Sequence, residues 1–137
     1  MKAFIDTSTL IKKYISEGDH KIFDTWLETV TEIIISPITW LEIQSMLERR
    51  IRDKSLTPKD ATTIEKNCKI DLDYFGVIKW SETLETLAQL LIRKYQLKVL
   101  DSLQLASGKL SKADHFFTSD IRLFKAAEQE LNTIFIA

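Results

Sequence analysis

The sequence predicts a single α/β domain, residues 1–137, with a central, mainly parallel sheet of about five strands flanked by helices. Short apolar runs alternate with longer segments of helical periodicity, and this alternation is typical of βαβ units. A length of 137 residues suits one domain, and three glycines and two prolines leave no linker-like stretch. No apolar run approaches the roughly 18 residues that a membrane-spanning helix needs.

The predicted strands are five short runs of apolar, mostly β-branched or aromatic residues. The first run ends at Ile5 and leads into Asp6, three hydroxyl-bearing residues and a helical stretch at residues 10–15. Strands that are buried on both faces form such unbroken apolar runs. The other four predicted strands are residues 33–35, 77–80, 115–118 and 133–137.

Helices are predicted between these strands from apolar residues at helical spacing and from start signals. Ser36 and Pro37 favour a helix start, because serine caps helices and proline suits the first helical position. Leu41 of this helix is expected to face inward. Thr57 with Pro58 repeats the start signal for another helix, and Ser81 is predicted to cap the helix after that. The predicted helices cover residues 22–27, 37–54, 58–74, 82–95, 102–110 and 120–131.

Charge and cysteine content narrow the class of protein. The net charge of −1 counts against broad, non-specific nucleic-acid binding but leaves room for a local basic rim. The single cysteine, Cys68, excludes an internal disulfide. The first strand begins so close to Met1 that we expect no signal peptide before it. Both observations predict a cytoplasmic protein.

Four acidic residues lie where a ligand site is expected. Asp6 follows the first predicted strand, and Asp120 follows the fourth. Glu42 lies one turn into the helix after the second strand, and Asp101 precedes the helical run 102–110. All four have apolar neighbours, although acidic residues near a core are rare unless paired or bound to metal. Because ligands bind at the carboxyl ends of parallel strands, we expect three strand-end acids and Glu42 to converge.

Helix capping is the alternative explanation for three of the acids. Asp6, Asp101 and Asp120 each lie near a helix start, where aspartate caps the helix and complements its dipole. For any one of them alone, the two explanations are equally good. Glu42 lies too far inside its helix to cap it, and Ser45 and Met46 give it no basic neighbour one turn on. A partner from outside the helix is therefore expected for Glu42.

Converging carboxylates repel one another unless a cation neutralises them. A set of oxygen ligands without a cysteine or histidine cluster suits Mg²⁺ or Mn²⁺, and His20 and His115 do not have a zinc-site spacing. Such an ion binds phosphate and lowers the pKa of an attacking water, so the set predicts phosphodiester hydrolysis. The sequence has no glycine-rich phosphate loop, which excludes a P-loop or dinucleotide fingerprint.

The chain resembles PIN-domain proteins, and among them the VapC-like toxin ribonucleases. The resemblance covers nearly the whole chain and rests on four fragments, residues 4–8, 36–42, 100–106 and 117–120. It implies that the acidic metal site consists of Asp6, Glu42, Asp101 and Asp120, with Ser8 and Thr118 as supporting hydrogen-bond partners.

The resemblance also implies an activity and partners. The implied activity is that of an endoribonuclease that depends on Mg²⁺ or Mn²⁺, with RNA as its substrate. The implied role is that of the toxin in a toxin–antitoxin pair, and the implied partners are a cognate antitoxin and a second copy of the chain in a homodimer. Two departures are Gln104, where many relatives have histidine, and Ser102, where alanine is common. Neither is a metal position, so the departures bear only on fine substrate preference.

Aromatic residues, alternative functions and basic residues bear on the expected dimer, activity and substrate contacts. The apolar and aromatic residues Tyr14, Phe23 and Trp26 support the dimer. A PIN nuclease that processes RNA without an antitoxin remains an alternative, as does a non-catalytic RNA- or protein-binding module. Candidates for a phosphate-contacting rim are Lys12, Lys13, Arg49, Arg50, Lys98, Arg122 and Lys125.

Overall fold

The strands form one parallel sheet. The computed structural model describes all 137 residues. The strands are β1 (Lys2–Ile5), β2 (Glu32–Ile35), β3 (Gly76–Val77), β4 (His115–Thr118) and β5 (Thr133–Phe135). Their order in the sheet is β3-β2-β1-β4-β5, and every neighbouring pair is parallel. The predicted five-stranded α/β architecture is confirmed.

Seven α-helices flank the sheet. They are α1 (Thr7–Leu10), α2 (His20–Leu27), α3 (Thr39–Arg52), α4 (Pro58–Leu72), α5 (Glu82–Tyr95), α6 (Val99–Ser111) and α7 (Ile121–Ala127). A 3₁₀ turn, Ile11–Lys13, continues α1. None of the helices combines the length and the apolar character needed to cross a bilayer.

The sheet is covered on both faces, because successive side chains of a strand point to opposite sides. In β1, Ala3 and Ile5 pack into a core with α1 to α4, and Phe4 packs into a second core with α5 to α7. Phe4 and Phe116 of β4 stack with ring centroids 5.3 Å apart. The unbroken apolar runs of the sequence follow from this two-sided burial.

The strand order places a crevice between β1 and β4, at the carboxyl ends of these strands. The chain builds β2 and β3 on one side of β1 and then returns to build β4 and β5 on the other. At such a reversal the connections leave the two central strands in opposite directions and open a crevice at their carboxyl ends. Ile5 pairs with Phe117 at this end, so Asp6 and Thr118 follow side by side.

Two of the predicted helix caps form, and one predicted helix start is displaced. The side chains of Thr57 and Ser81 accept the expected backbone hydrogen bonds at the starts of α4 and α5. The start predicted at Pro37 is wrong, because α3 begins at Thr39. Ser36 uses its hydroxyl in the turn before the helix, where it accepts a hydrogen bond from the amide of Ile38.

Leu41 does not face the core, and that prediction is wrong. This residue is 68 % exposed, whereas Thr39, Ile43 and Leu47 of α3 are buried. Those three residues are spaced by four and form one face of the helix, and Leu41 lies on the opposite face.

The third strand is also shorter than predicted, ending at Val77.

The early aromatic residues pack inside the protein. Phe23 is fully buried, and its ring lies 6.2 Å from the ring of Phe117. Trp26 packs edge-on against the same Phe117, and the half-buried Tyr14 donates a hydrogen bond to Asp71. Packing within the chain therefore accounts for all three side chains, although Tyr14 and Trp26 remain partly exposed.

Candidate active site

Asp6 lies directly beyond β1, and two hydroxyl groups hold its carboxylate. Its backbone is at the N-cap position of α1, but its side chain makes no capping hydrogen bond. Its Oδ2 atom instead accepts hydrogen bonds from Ser8 Oγ at 2.6 Å and from Thr118 Oγ1 at 2.9 Å. The capping explanation for this side chain is therefore wrong, because its carboxylate is held by Ser8 and Thr118 instead.

Burial changes the acidity of Asp6. Only 5 % of the residue is exposed, and this desolvation raises its pKa from 3.8 to about 7. The two hydroxyl donors oppose the shift, whereas the nearby charges of Glu42 and Asp101 add to it. An aspartate with such a pKa is stabilised in its ionised form by a bound cation.

Glu42 receives its hydrogen bonds from outside its own helix, as its position predicted. It lies in the first turn of α3. Its Oε1 atom accepts a hydrogen bond from Thr7 Oγ1 at 2.8 Å and another from Gln104 Nε2 at 2.6 Å. Oε2 makes no hydrogen bond to the protein, so one carboxylate oxygen is available to a ligand.

Asp101 reaches the site from a helix, so its description as a strand-end acid was wrong. It is in the first turn of α6, which begins at Val99 after a short connection from the end of α5 at Tyr95. Desolvation raises the pKa of Asp101, and the charges of Asp120 and Glu42 raise it further. Lys98 and Arg122 oppose that rise, which places their charges near this carboxylate.

Asp120 caps a helix at the edge of the site. Its Oδ1 atom accepts hydrogen bonds from the backbone amides of Arg122, at 2.9 Å, and Leu123, at 3.2 Å. The capping explanation is therefore confirmed for this acid. The other oxygen of the carboxylate makes no hydrogen bond to the protein, so capping leaves it free to contact a ligand.

The four acids line one cavity, which we call the acidic cavity. Its volume is about 610 Å³. Helix α3, helix α6 and the segments that follow β1 and β4 form its walls. Among the residues that line it are Asp6, Ser8, Glu42, Asp101, Asp120, Lys12, Arg49, Leu41 and Leu100. Thr118 lies beneath it, fully buried against Asp6.

The acidic cavity fits a hydrated divalent cation better than a dehydrated one. No three acidic, histidine or cysteine side chains are close enough to coordinate one ion directly. Mg²⁺ keeps several of its waters in proteins and needs only one or two direct carboxylate ligands. The all-oxygen donors and the raised pKa values of Asp6 and Asp101 match this mode of binding.

A second cavity, the basic cavity, adjoins the first. Asp101 and Asp120 line both cavities. The basic cavity has a volume of about 550 Å³, and its other charged residues are Lys98, Arg122 and Lys125. None of these three cations is in an ion pair, whereas Lys13 and Arg50 are paired with Asp71 and Glu17.

Two residues that contact Glu42 were not predicted as site residues. Thr7 is one residue after Asp6, and Gln104 is a buried polar residue between Leu103 and Leu105 of α6. A polar side chain on the buried part of a helix was the available signal for Gln104. Its link to Glu42 spans 62 positions of the sequence, so only the folded structure shows it.

Known proteins share this fold. A search of curated proteins found no significant match. A toxin–antitoxin complex from Klebsiella pneumoniae is 22% identical, with a TM-score of 0.71 over 96% of this chain and 95% of that one. VapBC2 from Rickettsia felis, solved with a promoter DNA fragment, is 17% identical, with a TM-score of 0.70 over 100% of both chains.

A third solved structure has the same fold, and the sequence matches a family model. VapBC-1 from nontypeable Haemophilus influenzae is 14% identical, with a TM-score of 0.68 over 98% of both chains. At these identities the structures show a common fold. In sequence, residues 3–129 match the PIN domain family. The chain therefore belongs to the PIN domain family, whose members are nucleases.

Proposed function

We propose that the protein is an endoribonuclease dependent on Mg²⁺ or Mn²⁺ and the toxin of a toxin–antitoxin pair acting in the cytoplasm. The observation that carries the proposal is the convergence of Asp6, Glu42, Asp101 and Asp120 on one cavity beside the crevice between β1 and β4. The resemblance to VapC-like ribonucleases favours RNA as the substrate. The toxin–antitoxin complexes among the similar structures favour an antitoxin partner.

The four carboxylates would hold the ion beside the phosphate to be cleaved. When bound, the ion supplies a water of lowered pKa and a positive charge beside that phosphate. Asp6 is fixed by Ser8 and Thr118, so its second oxygen, Oδ1, keeps a constant direction. Glu42 and Asp101 contribute from the facing helices α3 and α6, and Asp120 keeps one oxygen for the ion or its waters.

The basic cavity supports a nucleic-acid substrate. A nucleic-acid backbone that passes through the acidic cavity would continue into the basic cavity, where its phosphates would meet cations that are not in ion pairs. Lys98, Arg122 and Lys125 lie on one side, and Lys12 and Arg49 line the acidic cavity itself. Such cations contact phosphates without regard to base sequence. A local basic rim thus accompanies a net charge of −1.

Charge reversal in the basic cavity is expected to weaken RNA binding. Arg122→Glu should lower the affinity about 10-fold or more at low salt and reduce the slope of log K against log[salt] by about 1. Fluorescence anisotropy with a short RNA measures both, in an Asp6→Asn background that prevents cleavage. Lys66→Glu is the matched control, because Lys66 is exposed on α4 and lines neither cavity. Equal losses in the two variants would assign the effect to net charge.

The antitoxin is proposed to cover the acidic cavity. Leu41 and Leu100 line this cavity and are 68 % and 50 % exposed, and Ile121 beside Asp120 is 52 % exposed. Large apolar side chains around a polar cleft are typical of a protein-binding surface. The product of the adjacent reading frame should co-purify with the protein and stop cleavage, and Leu41→Lys should release it.

We also propose a homodimer, on the basis of the resemblance. Light scattering at micromolar concentration should give twice the chain mass of 15.9 kDa. A constant single-chain mass across that range would contradict the dimer and leave the nuclease proposal intact.

A circular RNA tests the proposed activity. The purified protein with Mg²⁺ or Mn²⁺ should linearise it, because an endonuclease needs no free end, and EDTA should stop the reaction. A DNA circle of the same sequence is the control for substrate class. If the protein left the RNA circle intact under every metal condition, the proposed function would be wrong.

A further inference from the structure

Gln104 is a buried amide that joins the two helices of the acidic cavity. It lies on α6, one turn after Asp101, and is only 1% exposed. Its Nε2 atom donates to Glu42 Oε1, at 2.6 Å, and to Thr7 Oγ1, at 3.0 Å. Thr7 Oγ1 in turn donates to Glu42 Oε1 at 2.8 Å. One oxygen of Glu42 is therefore held by two side chains that form a closed triangle with it.

The direction of each hydrogen bond in this triangle follows from the chemistry. The hydroxyl of Thr7 has one proton, which it gives to the carboxylate, so the same oxygen accepts from the amide. Rotating the Gln104 amide by 180° would place its oxygen against the carboxylate of Glu42, with two acceptors facing each other. The triangle therefore requires the Gln104 N–H₂ group to face Glu42.

This orientation leaves the other atom of the amide unsatisfied. Gln104 Oε1 is buried and has no hydrogen-bond partner. An unpaired buried oxygen destabilises a fold, and an apolar side chain of the same length would avoid the penalty. Residues that break a local rule in this way occur at functional sites, where another gain offsets the loss. Gln104 thus destabilises the fold through its unpaired oxygen, and it contacts an acid of the acidic cavity.

We infer that Gln104 is a positioning residue: with Thr7, it fixes Oε1 of Glu42 so that Oε2 is presented to a divalent cation in the acidic cavity. The inference rests on the proposed metal dependence. Glutamate has three side-chain torsions, and holding one oxygen at two points removes most of their freedom before the ion arrives. Groups that hydrogen-bond to a metal-binding carboxylate typically change metal affinity 10- to 100-fold when they are removed.

Replacing the amide by an apolar group of similar length tests this role. For Gln104→Met, isothermal titration with Mn²⁺ should give a Kd at least about 10-fold above that of the unsubstituted protein. The melting temperature of the metal-free variant should change little, because removal of the unpaired oxygen offsets the loss of the two hydrogen bonds from Nε2. A residue with only a structural role would lower the melting temperature and leave the Kd unchanged.

A double-mutant cycle shows whether the effect passes through Glu42. In a Glu42→Gln background, Gln104→Met should change the Kd for Mn²⁺ less than 2-fold, because the positioned carboxylate is absent. Ser107→Ala is the matched control: Ser107 is also on α6, fully buried and has an unpaired Oγ. Ser107 makes no hydrogen bond to an acid of the cavity, so the Kd of Ser107→Ala for Mn²⁺ should equal that of the starting protein.

Thr7→Val tests the hydrogen bonding of Glu42 Oε1 from its other donor. It removes the other donor to Glu42 Oε1 with little change in shape and should raise the Kd in the same way. An unchanged Kd in Gln104→Met would overturn the inference, whatever the result for Thr7→Val, and leave the proposed function standing. An equal effect of Gln104→Met in the Glu42→Gln background would also overturn it. Failure of the unsubstituted protein to bind Mn²⁺ would instead overturn the proposed metal dependence and, with it, the inference.

Discussion

Asp6→Asn is expected to stabilise the metal-free protein at neutral and alkaline pH. The pKa of Asp6 is about 7 in the folded protein and 3.8 without the fold. Between these values the folded state binds more protons than the unfolded state, so the free energy of unfolding falls as the pH rises. Above pH 7 the full penalty applies, up to about 4 kcal/mol. Asparagine has no charge to desolvate and keeps an oxygen for Ser8 and Thr118.

Urea unfolding in EDTA between pH 5 and 8.5 measures this effect. The starting protein should lose stability across the range, and Asp6→Asn should lose much less, so that their difference grows with pH. Asp73→Asn is the control, because Asp73 is an exposed acid at the end of α4. Parallel curves for Asp6→Asn and the starting protein would show that burial places no charge penalty on Asp6.

Gly108→Ala is expected to destabilise the fold by about 1–3 kcal/mol through overpacking. A Cβ atom at this position would lie 2.4 Å from Cδ2 and 2.6 Å from Cε2 of Phe116. That ring is buried and stacked on Phe4, so it cannot move aside freely. The gain in helix propensity, about 1 kcal/mol, offsets only part of the strain. Helix α6 should shift away from the sheet, and Asp101 with it.

Thermal melting and Mn²⁺ titration of Gly108→Ala measure both consequences. Gly76→Ala is a matched control, because a Cβ atom on Gly76 would have no contact closer than 3.4 Å. The two variants should differ clearly, with a lower melting temperature and weaker Mn²⁺ binding only for Gly108→Ala. Equal melting temperatures would mean that Phe116 repacks without cost.

Much of the fold was predictable because local patterns determine it. β4 was predicted with its observed bounds, since two phenylalanines and the β-branched Thr118 come directly before a polar turn. The caps at Thr57 and Ser81 follow from chemistry within one turn of the chain. The position of Leu41 was missed because its helix also has another, more regular apolar face.

That the four acids lie close together could be predicted from the sequence, but the hydrogen bonds that hold them could not. Apolar neighbours marked Asp6 and Glu42, and the structure brings both to the acidic cavity. The contact of Gln104 with Glu42 depends on how α6 packs against the sheet, and Gly108 permits that approach. A glycine inside a helical pattern was the signal for close packing. Its partner, Phe116, is fixed only by the tertiary structure.

Parallel cleavage assays of the starting protein, Asp6→Asn and Asp101→Asn test the central claim most directly. The three proteins are purified in the same way and incubated with the same RNA in Mg²⁺ or Mn²⁺, after circular dichroism has shown that each is folded. The acidic cavity as a metal-dependent active site predicts that cleavage falls at least about 100-fold in both variants, because each loses a charge that holds a hard cation. Equal cleavage by all three proteins would place the activity elsewhere and contradict the account.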